Sequence, residues 1–386
     1  MSKPIILAFV GCYLPGYKSG GPVRSIANTV NRLGDEFDFR IVTTDRDLMD
    51  SAPYANVIID AWNSVEKAKV FYVSPQNRSL IKLARLVRQT PHDILYLNSY
   101  FDPIFTVKLL FARYLRLIPK TYTVVAPRGV FSSGALGLKW LKKRIFIETS
   151  RILCLCGGVV MQASNEFEEM DIRLCFGKDI RIMVAPDLAL LPSAKTYSPL
   201  RQKKTKNCLR IISLSRITPM KNLLGALTML DGLEGQVDFN IYGPVEDEIY
   251  WGECQKLIQC LPGNIVAKYC GSLAHEQVMT AFEKNDLFLL PTLGENFGHV
   301  ILEALCAGSP VLISDQTPWR GLDKIGIGWD LPLNRPELFK KALQSCINMG
   351  SIEYEKMSEK AHRYGLQIIR DGKMVDKNRL LFQGII

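Results

Sequence analysis

Apolar residues along this chain fall into short unbroken runs, separated by stretches where they recur every three or four positions. Residues 5–10 (Ile-Ile-Leu-Ala-Phe-Val), 39–43, 70–73, 94–97, 121–126 and 158–162 are runs of the first kind. Short runs rich in branched residues predict strands buried on both faces, as in parallel sheets. Gly20-Gly21-Pro22 after the first run is followed by Val23, Ile26, Ala27, Val30 and Leu33, the spacing of one helix face. Proline suits the first turn of a helix, and glycine lets a backbone approach closely. Strand and helix alternate in this way for about half the chain, the signature of a doubly wound α/β sheet.

The alternation breaks near Pro192, where residues 193–207 are polar and basic, and then restarts. We read that stretch as a connection between domains. Beyond it, 209–214, 238–242, 265–269, 287–291 and 310–314 read as strands, and 222–232, 246–261, 275–284, 297–307 and 335–349 as helices. Residues 353–373 read as one further amphipathic helix. A length of 386 residues also exceeds what one core usually supports. The expectation is two Rossmann-like domains, 1–190 and 191–365, with 366–386 packing back on the first. Paired sheets of this kind are expected to hold a ligand between them, at the carboxyl ends of their strands.

Composition narrows the function. With 47% hydrophobic and 22% charged residues the chain is globular rather than disordered. No run approaches the roughly 18 apolar residues of a membrane span, and the first strand lacks the flanks of a signal peptide, so a cytoplasmic enzyme is expected. The ten cysteines form no C-x-x-C pair and mostly sit in apolar runs, which predicts buried reduced thiols. His92, His275, His299 and His362 make no i, i+4 pair, which argues against a zinc hydrolase. No G-x-G-x-x-G follows the first strand and no Walker loop is present. Asp45-Arg46-Asp47 is a D-x-D, but a three-residue match is common, and no metal or other cofactor is expected.

The net charge of +10 is uneven: residues 1–190 carry 25 basic and 17 acidic side chains. Between Pro103 and Arg151, ten cations face the single acid Glu148. Such a bias points to an anionic partner. No nucleic-acid reader motif accompanies it. Residues 104–118 and 138–147 mix apolar and basic positions, a composition suited to an anionic bilayer surface; two ordinary helices with solvated basic faces read equally well.

The strongest chemical signal is Pro291-Thr-Leu-Gly-Glu295-Asn296-Phe297-Gly298-His-Val-Ile-Leu-Glu303-Ala-Leu-Cys-Ala-Gly308-Ser-Pro310-Val. A buried strand ends in a loop bearing Glu295, Phe297 and Gly298 open a helix, and Glu303 follows about two turns on. Carboxylates accept hydrogen bonds from vicinal hydroxyls, and amides at a helix start hold oxygens. Glu303 lies among Val300, Ile301, Leu302, Ala304 and Leu305, where a carboxylate needs a partner. This E-x7-E string resembles the retaining family 4 glycosyltransferases of the GT-B fold. Arg216-Ile-Thr-Pro-Met-Lys221 after the strand at 209–214 resembles the same family's R-x4-K segment. Two cations at a helix start suit a leaving diphosphate without a metal.

The resemblance implies a transferase using a nucleotide-sugar donor and a glycan or polyprenyl-diphosphate-linked acceptor, in synthesis of a surface polysaccharide such as lipopolysaccharide O-antigen, capsule or exopolysaccharide. It implies that Arg216 and Lys221 hold the diphosphate, that Glu295 with the amides of Phe297 and Gly298 holds the transferred sugar, and that Glu303 binds the ribose. Asn296 lies in the same donor loop. Gly20 and Gly21 would line the diphosphate, and Gly243 the nucleotide cleft. The chain departs from the family pattern at two places. Many relatives carry histidine where this chain has Pro127-Arg128-Gly129, which resembles a P-R-G subset of the family, and asparagine where it has Asp187 after Pro186. Arg128 is expected to contact donor phosphate or acceptor. The alternatives are a sugar-nucleotide epimerase or phosphorylase on the same fold, and a non-catalytic nucleotide-binding scaffold.

Overall fold

The computed structural model describes residues 3–137, 140–189 and 203–384. Most of the expected connection, 193–202, lies outside the described residues. The chain divides into two compact units, Met1–Leu190 with Asp371–Ile386, and Leu191–Arg370.

The first unit is built on β1 (Ile5–Phe9), β2 (Asp38–Thr44), β3 (Trp62–Val65), β4 (Ala68–Val73), β5 (Ile94–Asn98), β6 (Tyr122–Ala126), β7 (Val159–Ala163) and β8 (Arg181–Val184). They form one sheet in the order β3-β4-β2-β1-β5-β6-β7-β8. Every pair is parallel except the antiparallel edge pair β3–β4. Its helices are α1 (Gly21–Leu33), α2 (Leu80–Gln89), α3 (Val107–Tyr114), α4 (Ser133–Gly137), α5 (Trp140–Ile152) and α6 (Glu166–Phe176). One face of the sheet packs Leu7, Phe9, Leu95, Leu97 and Val125 against α2, α3, α5 and α6. The other packs Ile6, Ala8, Ile41 and Tyr96 against α1 and a helix from the far end of the chain. Both faces are therefore dry, as unbroken apolar strands require.

The second unit holds β9 (Cys208–Leu214), β10 (Gln236–Tyr242), β11 (Ile265–Tyr269), β12 (Leu287–Leu290), β13 (Val311–Ser314) and β14 (Gly328–Leu331), in the order β11-β10-β9-β12-β13-β14. All of these pairs are parallel. The helices are α7 (Leu223–Leu230), α8 (Glu248–Gln259), α9 (His275–Glu283), α10 (His299–Cys306), α11 (Leu322–Ile325), α12 (Pro336–Asn348) and α13 (Ser351–Arg370). The sequence predicts one helix over 353–373, but there are two. Asp371 ends the first and caps α14 (Gly372–Gln383), accepting from the Lys373 amide at 3.0 Å.

The short helix α14 completes the first unit. Leu381 and Phe382 are fully buried there. The Phe382 ring meets Phe37, Phe39 and Tyr96 edge-on, with centroids 5.8, 6.0 and 5.3 Å away. The Asn378 amide donates to the Pro186 carbonyl at 2.7 Å.

Candidate functional site

Parallel sheets bind ligands beyond their carboxyl edge, where successive connections leave a strand in opposite directions. In the second unit that point lies between β9 and β12, because the chain runs from β9 out to β10 and β11 and then returns. The loops after these two strands carry the candidate residues, and they are stitched together. The Met220 carbonyl accepts from the Leu293 amide at 2.8 Å and from the Thr292 hydroxyl at 3.0 Å. Asn222 adopts the left-handed conformation (φ 55°), caps α7 by accepting from the Gly225 amide, and donates to the Pro291 carbonyl at 2.9 Å.

This stitching brings Lys221 and Glu295 together across 74 residues of sequence: Nζ lies 2.6 Å from Oε2. Their side chains are 14% and 18% exposed, so the pair is largely withdrawn from solvent yet reachable. Arg216, earlier in the same connection between β9 and α7, pairs with Glu246 at 2.6 Å and is more exposed. Glu246 is absent from the residues the sequence singles out, because a lone glutamate after a strand offers no signal.

The loop 291–298 is held from its far side too. The Glu295 amide donates to the Gln316 carbonyl at 3.0 Å, and the Trp319 indole to the Phe297 carbonyl at 2.7 Å. The sequence predicts that Phe297 and Gly298 start the helix. Instead Gly298, at φ 79° and ψ 55°, is the residue before it, and α10 begins at His299. The left-handed turn is what redirects the chain, and a Cβ at Gly298 would crowd Ile301 at 2.8 Å. The Ile301 and Leu302 amides close the first turn of α10 on the Gly298 carbonyl at 2.9 and 3.2 Å. Asn296 is half-buried beside Glu295, and Glu303 is half-buried on the second turn of α10 among Ile301, Leu302, Ala304 and Leu305, all buried.

Gly243 follows β10 at φ 136°, and a Cβ there would fall 1.8 Å from the Ser215 carbonyl oxygen. Only glycine lets the β9 and β10 loops touch. Its amide donates to the Gly271 carbonyl, and its carbonyl accepts from the Tyr269 hydroxyl, both at 2.9 Å.

The first unit repeats the arrangement: the chain reverses between β1 and β5. A cavity of 440 Å³ opens there, lined among others by Cys12, Ser19, Pro22, Asn98, Asp102 and Arg128. Gly20 (φ 65°) and Gly21 precede and open α1 beside it, and neither would meet another atom if it carried a Cβ. Burial raises the Asp102 carboxyl against the pull of the Phe105 and Ile104 amides that donate to it. Burial also pushes the Cys12 thiol up, so it is a poor nucleophile.

The D-x-D residues are occupied. Asp45 pairs with Arg46 and Arg78 at 2.9 and 2.7 Å. Asp47 accepts from the amides of Tyr17, Lys18 and Leu48. Arg128 is buried rather than presented on a loop: it forms an ion pair with Asp187 and donates to Asn98 Oδ1 and the Tyr96 hydroxyl.

Comparison with known proteins adds a family match within the second unit. Residues 199–364 match the family model "Glycosyl transferases group 1". That match takes in less than half of the chain. A Klebsiella pneumoniae protein described as an uncharacterized 41.2 kDa protein in the cps region is 24% identical over 252 residues. The match takes in 63% of this chain and 66% of that relative, just under two thirds of its length. The Anabaena protein Alr3699/HepE, solved with UDP and glucose, superposes with TM-score 0.70 at 16% identity over 99% of both chains. WaaG, a glycosyltransferase involved in lipopolysaccharide biosynthesis, superposes with TM-score 0.70 at 14% identity over 98% of this chain and 100% of that one. The shared fold is GT-B, two mostly parallel Rossmann-like sheets, as the alternation of elements predicts. The Lys221–Glu295 and Gly243 constellation lies inside the matched residues 199–364.

The basic segments separate in the structure. Within 104–118, Phe105, Leu109, Leu110, Ala112 and Ile118 are core residues. Lys108 donates to the Arg78 carbonyl and Arg113 to the Gly157 carbonyl. The helix of that segment, α3, packs on the sheet, and Tyr114 and Leu115 at its end are exposed. On α5 the apolar residues face outward: Trp140, Leu141, Ile145 and Ile152 are 57%, 56%, 59% and 79% exposed, among Lys142, Arg144 and Arg151. Leu138 and Lys139 lie outside the described residues. Among the described residues no helix is long and apolar enough to cross a membrane.

Proposed function

We propose that this chain is a retaining, metal-independent hexosyltransferase that moves a sugar from a nucleotide-diphosphate sugar to a glycan or polyprenyl-diphosphate-linked acceptor in bacterial surface-polysaccharide synthesis. The observation that carries the reading is the Lys221–Glu295 pair at the β9/β12 reversal, inside the matched residues 199–364. An ammonium and a carboxylate held side by side offer a donor for phosphate oxygens and an acceptor for sugar hydroxyls. Lys221 and Arg216 neutralise the charge that grows on the β-phosphate as the anomeric bond breaks. Glu295 and Asn296, with the amides of Phe297 and Gly298, hold the sugar hydroxyls, and Glu303 takes the ribose. The acceptor hydroxyl adds to the anomeric carbon on the face the diphosphate leaves, and its proton passes to the departing phosphate oxygen. Configuration is thereby retained. A capsule-region relative and a solved structure containing UDP and glucose support the substrate class.

The test is a thermal-shift panel of UDP-, GDP-, ADP-, TDP- and CMP-sugars with chelator present, followed by nucleotide-release assays. A shift with one nucleotide that Glu303→Ala weakens, and turnover in chelator, are expected. Turnover that needs a divalent cation, or an inverted product anomer, would sink the corresponding part of the reading.

The outward apolar face of α5 favours action at an anionic membrane surface on the cytoplasmic side, where a polyprenyl acceptor resides. Apolar side chains interleaved with cations bind such surfaces by burial plus attraction. Flotation with liposomes containing phosphatidylglycerol at low salt is expected, and no flotation would refute it.

A further inference from the structure

Two departures from the family pattern, Arg128 and Asp187, lie 59 residues apart in sequence and meet as a buried ion pair, with side chains 7% and 6% exposed. Burying two charges is costly unless each is paired and hydrogen-bonded. Here both are. Arg128 donates from Nε and Nη2 to Asn98 Oδ1 at 3.2 and 2.8 Å, and from Nη2 to the Tyr96 hydroxyl at 2.9 Å. Asp187 also accepts from the Ser25 hydroxyl of α1 at 2.8 Å. Four of the five guanidinium N–H groups are thus engaged, and one on Nη1 remains. The backbone is strained as well. Arg128 has φ 66°, and Ser99, after the neighbouring strand β5, has φ 66° too. Both residues line the same 440 Å³ cavity at the β1/β5 reversal. Non-glycine residues are uncommon in this conformation and gather where surroundings hold a site in shape.

We propose that Asp187 is a positioning residue that locks the Arg128 guanidinium into the wall of this cavity, so that its remaining Nη1 hydrogen meets an oxygen of the bound substrate. Either residue without the other would leave a buried charge without its partner. The proposal rests on the transferase reading.

The experiment uses the full chain and Arg128→His, Asp187→Asn, the double variant and Arg128→Lys. Melting temperature is measured for each, together with kcat and KM for whichever nucleotide sugar of the panel the wild type turns over, read as nucleotide released. Each of the first two single variants is expected to lower the melting temperature and cut kcat at least tenfold. The double variant, with a neutral pair restored, should exceed both in stability and in kcat. Arg128→Lys should stay folded but lose kcat, because one ammonium cannot hold three partners and still face the cavity. A double variant no better than the sum of its parts would overturn the coupling. Folded single variants with wild-type kcat and KM would overturn the positioning role, leaving the pair a matter of stability. A wild type that turns over no donor would instead bring down the transferase reading, and this proposal with it.

Discussion

Replacing Lys221 with methionine separates structure from chemistry at the candidate donor site. The substitution keeps the stem of the side chain and removes the ammonium that lies 2.6 Å from Glu295. Because both groups are less than one-fifth exposed, screening by solvent is modest, and a hydrogen bond to a charged group contributes about 1.5–3 kcal/mol. For a domain of this size, about 1 kcal/mol moves the melting temperature by roughly 2–4 °C. Lys221→Met should therefore melt some 3–12 °C lower, on the order set by those two ranges. Adding Glu295→Gln should recover part of that loss, since the uncompensated carboxylate is then gone. Catalysis should not recover. Loss of one preorganised donor to a developing charge costs about 10²–10³ in kcat, and the double variant should stay at least that low. The assay is a four-member cycle of melting temperature and nucleotide release at saturating donor. If Lys221→Met keeps wild-type kcat while losing stability, the pair is a structural staple and the assignment of Lys221 to the diphosphate is wrong.

Gly243→Ala should fail to accumulate as folded protein or melt at least about 5 °C lower, since its Cβ would overlap the Ser215 carbonyl at 1.8 Å; an unchanged melting temperature would contradict so close an approach of the two loops. Gly21→Ala is the contrast. Its Cβ meets nothing within 4 Å, so stability should hold, while donor or acceptor KM should rise if ligand fills that space. Burial tends to raise the Asp45 carboxyl, but Arg46 and Arg78 outweigh it and hold it below its ordinary range. Its contribution to stability is therefore complete above the unfolded value of about 3.9 and is lost as pH falls through the lower folded value. Asp45→Asn should destabilise the protein near neutrality and flatten the acid limb of its stability curve, which urea melts from pH 2 to 7 would show. Changing Leu141, Ile145 and Ile152 to serine together should abolish flotation with anionic liposomes and leave the melting temperature within about 2 °C, because exposed positions contribute little to the core.

The central strands were legible because each is an apolar run buried on both faces, as β1, β5 and β7 are. The edges were not. β3 (Trp62–Val65) alternates between exposed and half-buried positions and pairs on one side only. β8 and β14 are four-residue edge strands with a leading arginine and an internal aspartate. None of them presents a run. The break between α13 and α14 was hidden because amphipathic spacing continues through it, and only the Asp371 cap marks it. At the candidate site the sequence identifies Glu295, Glu303, Arg216 and Lys221 as residue types in a recognisable string. It does not reveal that Lys221 touches Glu295, or that Arg128 touches Asp187, since each contact depends on the order of strands in a sheet. The basic character of 104–118 and 138–147 looked alike in one dimension. Only packing distinguishes the buried α3 from the outward face of α5.

The return of α14 to the first unit has a consequence for how the chain is made. A ribosome releases residues in order, so the first sheet is assembled long before residues 372–383 exist. Until then Phe37, Phe39 and Tyr96 line an open aromatic pit that Phe382 later fills. The unit that is born first is thus completed by the last residues made, after the whole second unit has been synthesised. Nascent chains stalled before residue 372 should be recognised by holdase chaperones and cut within the first half, whereas released full-length chains should resist both.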